Sequence, residues 1–380
     1  MITNLEITNF KAFAHADIRL ARYTLLSGLN SSGKSTVLQA LALLQQGSAS
    51  GDDFGPLGHF RGVTLNGELL ELGTGQDVLH EDFTAVSGTE PEIVFRLTSD
   101  TGLMYACRVG YERDASYLPV LFDETDYSHY NHPDVFTVFG EGFQYLRADR
   151  INPAVTYLRS ALPSDGDKFL GARGEYAVDV LRIHFDDPVP DGPLRHPAAV
   201  RPSLSNQAEA WLSEICPGVN LEAAAIEHTD LVRLGFQFRR PGHPVSAARR
   251  PTNVGFGLTY VLPIIIACLM ATPGSMILLE NPEAHIHPQG QSAMARLTCA
   301  AAAVGAQLIV ETHSDHILNG VRLAVKRDLL RPNDVALNYF RREDEGIKIE
   351  SPSIGPDGML SQWPTGFFDE WDRSLDQLLD

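Results

Sequence analysis

Four clusters in this chain combine residue types and spacings suited to chemistry on a nucleotide. The first is Gly28-Leu29-Asn30-Ser31-Ser32-Gly33-Lys34-Ser35-Thr36, which fits G-x-x-x-x-G-K-[ST] at every fixed position. In that pattern the N–H groups of Asn30, Ser31, Ser32, Gly33 and Lys34 cradle a β-phosphate, and the start of the next helix adds partial positive charge. Lys34 reaches the β- and γ-phosphates, Ser35 offers its hydroxyl to Mg²⁺, and Thr36 follows in the first helical turn. The expected ligand is a nucleoside triphosphate with Mg²⁺.

The second cluster, Met276-Ile277-Leu278-Leu279-Glu280-Asn281-Pro282-Glu283, is an apolar run that ends in carboxylates. Hard cations prefer oxygen ligands, so Glu280 is the candidate to hold the water shell of Mg²⁺. The same residues also read as a buried strand ending in a solvated acidic turn, with Ala284 to Pro288 opening a helix. The third cluster runs from Gln307 to His316 and delivers Glu311-Thr312-His313-Ser314-Asp315 at a strand's C-terminal end, where open α/β sheets bind ligands. His313 is a candidate γ-phosphate sensor, and Ser314 or Asp315 a candidate helix cap. A cap with incidental histidines reads these residues nearly as well. His285, His287, His313 and His316 fit no zinc spacing. The fourth cluster, Asn253-Val254-Gly255-Phe256-Gly257-Leu258, places two glycines at the start of a long apolar helix, shortly before the acidic strand.

Strands and helices must present these groups. Ile2 to Phe10 and Tyr23 to Ser27 read as strands, with Lys11 to Ala16 as a break between them. Lys34 to Gln46 reads as a helix, with Val37, Leu38, Leu41 and Leu44 on one face and no Gly or Pro inside. From about Phe54 to Tyr130, short runs such as Ile93 to Leu97 and Met104 to Val109 predict an antiparallel β region. Asp123 to Asp134 and the proline-rich 185–204 read as loops. Gln207 to Ile215 is a helix candidate, and Val219 to Ile226 with Leu231 to Phe238 a hairpin. After Pro251 the pattern alternates: helix Leu258 to Ala271, strand Met276 to Leu279, helix Gln289 to Ala303, strand Gln307 to Val310, helix Ile317 to Arg327. That alternation predicts βαβ units and a mainly parallel sheet.

The expected fold class is therefore α/β: a P-loop NTPase with a mixed, mainly parallel sheet flanked by helices, an antiparallel β region and a helical insertion. The expected organisation is one head with a phosphate-loop lobe at 1–50, the β region at 51–150 and a helical and β insertion at 151–250. A second lobe at 251–345 carries the other three clusters, and a tail with a short helix fills 346–380.

Composition narrows the setting. In 380 residues, 44% hydrophobic and 21% charged, a large core is available without staples. Cys107, Cys216, Cys268 and Cys299 lack paired spacing and suit a reducing, cytoplasmic setting. The N-terminus alternates like a strand instead of showing an export signal, and the apolar run Leu258 to Ala271 is too short for a bilayer, which needs about 20 residues. A net charge of -18 opposes non-specific nucleic-acid binding, although Arg239, Arg240, Arg249 and Arg250 form a local basic group that reads as a solvated loop or a nucleic-acid contact.

In order, the four clusters resemble the head domain of ABC-type ATPases, in the branch shared by chromosome-maintenance, DNA-repair and overcoming-lysogenization-defect (OLD) proteins. Ile7-Thr8-Asn9-Phe10-Lys11-Ala12-Phe13 is similar to that branch's opening. Leu65-Asn66-Gly67-Glu68, Leu72-Gly73, Tyr145 to Ile151, Gly174-Glu175-Tyr176 and Gly366-Phe367-Phe368-Asp369 resemble stretches of standalone OLD-like ATPases of bacterial antiphage defence. The resemblance leaves out 111–140 and 185–205.

It implies that Gly255 and its helix start contact the γ-phosphate held by a second copy, so that two ATP molecules are sandwiched head to tail. It makes His313 the switch histidine and Gln76, or else Gln46, the residue touching Mg²⁺ and the attacking water. One departure stands out. Asn281 occupies the position where the family places the carboxylate that polarises water, and an amide cannot accept that proton. Either Glu283 substitutes, or hydrolysis is slow, since losing a general base costs about 10² to 10⁴ in rate. Only about 50 residues follow Arg327, too few for the Toprim nuclease domain of OLD nucleases, and no heptad arm is present. The implied effector is a separate nuclease or toxin. The alternatives are a slow or non-hydrolysing nucleotide sensor that holds such a partner, and a DNA-binding head of the repair type.

Overall fold

The computed structural model describes residues 1–49, 61–83, 91–121, 136–160, 168–239, 242–344, 346–369, 374–375 and 377–378. The expected loop at Asp123 to Asp134, and Arg240 of the basic group, lie outside them. In chain order the elements are β1 (Ile2–Phe10), β2 (Phe13–Arg19), β3 (Tyr23–Gly28), α1 (Lys34–Ala49), β4 (Gly62–Thr64), α2 (Gly75–Val78), β5 (Glu92–Ser99), β6 (Met104–Gly110) and β7 (Tyr117–Pro119). Then come β8 (Phe143–Leu146), β9 (Tyr157–Leu158), α3 (Ala177–Ile183), α4 (Leu204–Ser213), β10 (Val219–Ala225), β11 (Leu231–Phe238) and α5 (Phe256–Leu269). The last are β12 (Met276–Glu280), α6 (Pro288–Ala303), β13 (Gln307–Glu311), α7 (Asp315–Lys326), β14 (Val335–Glu343) and β15 (Gly346–Glu350). The chain forms two compact units, one of Met1–Phe143 with Pro332–Gly355 and Met359–Asp380, the other of Gln144–Arg331 with Pro356–Gly358.

The first unit contains an antiparallel sheet in the order β2-β1-β5-β6. The expected break at Lys11 to Ala16 is mostly strand, because the chain reverses within Lys11 and Ala12 and Phe10 already faces Phe13. Asn9 and Lys11 take the left-handed backbone, with φ of 57° and 47°, and make that tight reversal. From Ala16 the side chains alternate inward and outward as a half-buried strand requires. Phe10 meets Phe95 edge-on at 5.1 Å, joining β1 to β5.

In the same unit β3 lies parallel to β14, with Leu25 opposite Leu337, and β14 pairs antiparallel with β15. Tyr23 to Ser27 are all buried, the apolar run of a strand covered on both faces. Residue 346, where a tail was expected, thus opens a strand. Helix α1 reaches Ala49, three residues beyond the expected end.

In the second unit β12 and β13 are parallel in strict register, from Met276↔Gln307 to Glu280↔Glu311, and β8 flanks β12. The crossover between β12 and β13 is α6, so this is the βαβ unit that the alternation predicts. The β10–β11 hairpin also forms, with β9 beside β11. The expected helix at Gln207 begins earlier, at Leu204. Helix α5 buries every residue from Leu258 to Leu269, so its length and hydrophobicity serve a protein core. Among the described residues no helix is long and apolar enough to cross a membrane. All four cysteines are free, and Cys107, Cys268 and Cys299 are buried.

Candidate nucleotide site

The phosphate loop is held open by its glycines. Gly28 has φ of 142°, and a Cβ there would lie 2.2 Å from the Phe340 carbonyl oxygen of the neighbouring strand. Gly33 has φ of 92°, with Phe13 and Ile347 at 2.8 and 3.0 Å from the position of a Cβ. Neither conformation suits a larger residue. Lys34 is buried (3% exposed) and donates to the carbonyls of Gly28 at 3.0 Å and Leu29 at 2.7 Å, which folds the loop around its ammonium. The Ser32 hydroxyl is buried with no hydrogen-bond partner among the described residues. A cation, an orphaned hydroxyl and backbone that only glycine tolerates fit a bound phosphate chain. Asn30 and Ser31 are exposed at the loop's tip, with Ser31 at φ 60°, and Ser35 and Thr36 lie in the first turn of α1.

Gln46 and Gln76 are both in this unit but sit differently. The Gln46 amide donates to Thr64 O at 2.6 Å and accepts from the N–H groups of Leu69 and Leu70, so it staples the 64–70 loop to α1. Gln76 is exposed on α2, with its carbonyl 3.5 Å from Arg113 Nε.

In the second unit the ends of β12 and β13 bring Glu280, Asn281, Glu283 and His313 together. Glu280 ends β12, and both its oxygens accept hydrogen bonds: Oε1 from the Tyr145 hydroxyl at 2.5 Å, Oε2 from the Ala148 amide at 2.9 Å. Burial and the adjacent Glu280 charge push the Tyr145 phenol well above its ordinary range, so it stays a donor. A carboxylate has about four acceptor positions, which leaves Glu280 lone pairs for a cation's water shell.

Asn281 turns the chain with a left-handed φ of 43° and an N–H donating to Glu311 O at 2.9 Å; its own Oδ1 is buried without a partner among the described residues. Glu283 accepts from the His313 backbone N–H at 2.8 Å through Oε1, while Oε2 has no well-aligned partner among the described residues. Burial raises the Glu283 carboxyl, opposed by the His313 amide, Thr312 and Arg150. Glu283 thus meets the backbone of His313, an exposed residue. Of the two candidate caps, Ser314 is the one used: its hydroxyl accepts from Ile317 N–H and donates to Gln291 Oε1 at 2.6 Å. Among the described residues no three His, Cys, Asp or Glu side chains converge to hold a metal.

Tyr145 to Ile151, which carry no functional mark in the sequence, hold a further residue of this site. Arg150 is 1% exposed; it donates through Nη1 to Arg147 O at 2.8 Å and Glu280 O at 2.6 Å, and through Nη2 to Asn281 O at 2.8 Å. Burial lowers its pKa, and Tyr260, Glu280 and Glu283 oppose the shift. An arginine within a run already containing Arg147 and Asp149 carries no sequence mark of burial. Gly255 sits at the exposed N-cap of the 14-residue α5, with no atom of the described residues beyond its chain neighbours within 4 Å of where its Cβ would be. Arg239, Arg249 and Arg250 are exposed.

Strand, glycine loop and helix in one unit, with a parallel βαβ pair ending in carboxylates in the other, define an α/β P-loop NTPase fold. Residues 1–97 match the family described as an AAA ATPase domain, and residues 219–319 an AAA domain described by the AbiEii toxin of a type IV toxin–antitoxin system. Residues 330–378 match a protein family of unknown function, DUF3696. The OLD nuclease of Thermus scotoductus is 23% identical over 369 residues, covering 91% of this chain and 65% of that protein, so the chain spans under two thirds of this relative. Among solved structures, the SMC head domain from Thermotoga maritima aligns with TM-score 0.44 at 13% identity, over 92% of this chain and 98% of that one. The Smc head with an extended coiled coil, bound to the C-terminal domain of ScpA and derived from Pyrococcus furiosus, aligns at 0.49 and 14%, over 100% and 99%. The two AAA-domain matches, which take in the phosphate loop and β12, support the binding of ATP.

Proposed function

We propose that this chain binds ATP with Mg²⁺, pairs head to tail with a second copy around the nucleotide, and hydrolyses it slowly to gate a separate nuclease or toxin in antiphage defence. The observation that carries the reading is the phosphate loop, whose buried Lys34 and orphaned Ser32 hydroxyl suit a triphosphate. In this reading Asn30 to Thr36 hold the phosphates, Ser35 and Glu280 hold Mg²⁺, with Gln76 as a further ligand, and His313 senses the γ-phosphate. Bound Mg²⁺ supplies Lewis-acid stabilisation of phosphoryl charge. The open N-terminus of α5 at Gly255 supports approach by an anion on another copy, since helix N-termini attract negative charge. A toxin in the description of one matched family and a nuclease among the similar proteins support a link to activities of that kind.

Asn281 favours a second, closely related reading, a nucleotide sensor whose bound state is the signal. Its side chain cannot take a proton, and the turn around it is pinned by Arg150 and Glu311. Mass photometry tests the main reading. ATP with Mg²⁺ should double the particle mass of wild type and leave Lys34→Ala monomeric, with no nucleotide retained. Equal retention of a fluorescent ATP analogue by both proteins would remove the basis for the proposal.

A further inference from the structure

The residues around Glu280 form a connected set within the second unit. Tyr145 and the Ala148 amide hold the two carboxylate oxygens, and Arg150 holds the strand end by donating to the carbonyls of Glu280 and Asn281. The same stretch grips α5. The Tyr260 hydroxyl donates to Ala148 O, and the Arg150 guanidinium lies 4.1 Å from the centroid of the Tyr260 ring. One turn nearer the helix start, Phe256 packs 5.7 Å from Tyr260, and both rings touch His285, at 4.6 and 4.9 Å. Ala148 is thus gripped from both sides, with its amide on Glu280 and its carbonyl under Tyr260.

Tyr145, Arg150 and Tyr260 are 1%, 1% and 5% exposed, so these contacts are held by packing. Displacement of the first turns of α5 would carry Tyr260 with it, then the Ala148 peptide, and so one oxygen of Glu280. Buried hydrogen-bond networks of this kind behave as units, because each member fixes the geometry of the next.

We propose that Tyr145, Arg150 and Tyr260 are positioning residues of a relay that fixes the Glu280 carboxylate for its cation and ties that carboxylate to the helix beginning at Gly255. The inference rests on the reading of Glu280 as the cation ligand and of Gly255 as the end that meets a second copy. Coupling of this kind is reciprocal: engagement at Gly255 tightens cation binding, and cation binding favours engagement.

The test measures binding of a fluorescent ATP analogue while Mg²⁺ is titrated, and in parallel with EDTA. Tyr145→Phe should raise the Mg²⁺ midpoint by about tenfold or more, the scale of a hydrogen bond to a charged group, and leave binding in EDTA unchanged. Tyr260→Phe keeps the ring over Arg150 but loses the bond to Ala148, and it should raise the same midpoint several-fold while weakening ATP-dependent mass doubling. The double variant should fall short of the product of the single effects, since coupled contacts are not additive. A midpoint unmoved in Tyr260→Phe, lowered in Tyr145→Phe, or shifted by the full product in the double variant overturns the relay. Both substitutions keep their rings, and Tyr260→Phe carries the test alone should Tyr145→Phe not fold. Wild-type binding indifferent to Mg²⁺ would instead overturn the reading of Glu280 as cation ligand, and the relay with it.

Discussion

Arg150→Met removes a buried guanidinium but keeps an apolar stem of similar length. Three carbonyls lose their donor, those of Arg147, Glu280 and Asn281. Each buried acceptor left unpaired costs about 1 to 3 kcal/mol. Glu280 and Glu283 also lose the attraction of a nearby guanidinium, and taking one charge from a buried charged set costs up to about 3 to 5 kcal/mol. These costs overlap, because the Glu280 and Asn281 carbonyls are adjacent and can share an entering water, so the expected total is about 4 kcal/mol. With a urea slope of about 2 kcal/mol per molar, the unfolding midpoint should fall by about 2 M. Urea titration of the nucleotide-free chain can follow fluorescence of Trp211, a buried reporter in the same unit. Arg150→Lys, whose compact ammonium lacks the planar fork, should lose about half as much. A loss below about 1 kcal/mol in Arg150→Met would show that the strand end does not depend on this side chain.

Three further outcomes follow from the site. Gly28→Ala should lower stability by at least about 2 kcal/mol, through glycine-only backbone and overlap with Phe340 O; an unchanged melting temperature contradicts this. If Glu283 stands in for the missing carboxylate, Glu283→Gln should lower kcat by about 10²-fold or more with nucleotide binding intact, and Asn281→Glu should raise it; steady-state turnover unaffected by Glu283→Gln excludes that role. The Glu283 carboxyl is raised by burial from its ordinary 4.5, so its contribution to stability is complete below that value and is lost as pH climbs through the raised one. Glu283→Gln cannot ionise, and its melting temperature should therefore gain on wild type as pH rises above about 4.5; a constant difference refutes this.

Local pattern explains what could be read in advance. The glycine loop is fixed by residues a few positions apart, and β12, α6, β13 and α7 are short segments whose periodicity is their own. Lys11 to Ala16 misled because a two-residue reversal at Lys11 and Ala12 leaves no local mark that tells it from a longer break. The pairing of β3 with β14 joins Leu25 to Leu337, and no local pattern records a partner at that distance. Arg150 was missed for a related reason. Its burial depends on carbonyls that β12 brings from 130 positions away, and in the sequence it looks like one more surface charge. Gln46 could be offered as a cation contact because the chain does not show that its amide is occupied by the 64–70 loop.

The interleaving of the two units has a consequence for biosynthesis. All but a few residues of the second unit lie in one continuous stretch, Gln144–Arg331, whereas β3 of the first must wait for β14. At about 5 to 20 residues per second, the ribosome needs on the order of 15 to 60 s to supply the residues between Gly28 and Val335. The middle of the chain can thus complete its fold while the strand that carries the phosphate loop is still without β14. Chaperone protection of the nascent N-terminal segment should matter most in that interval.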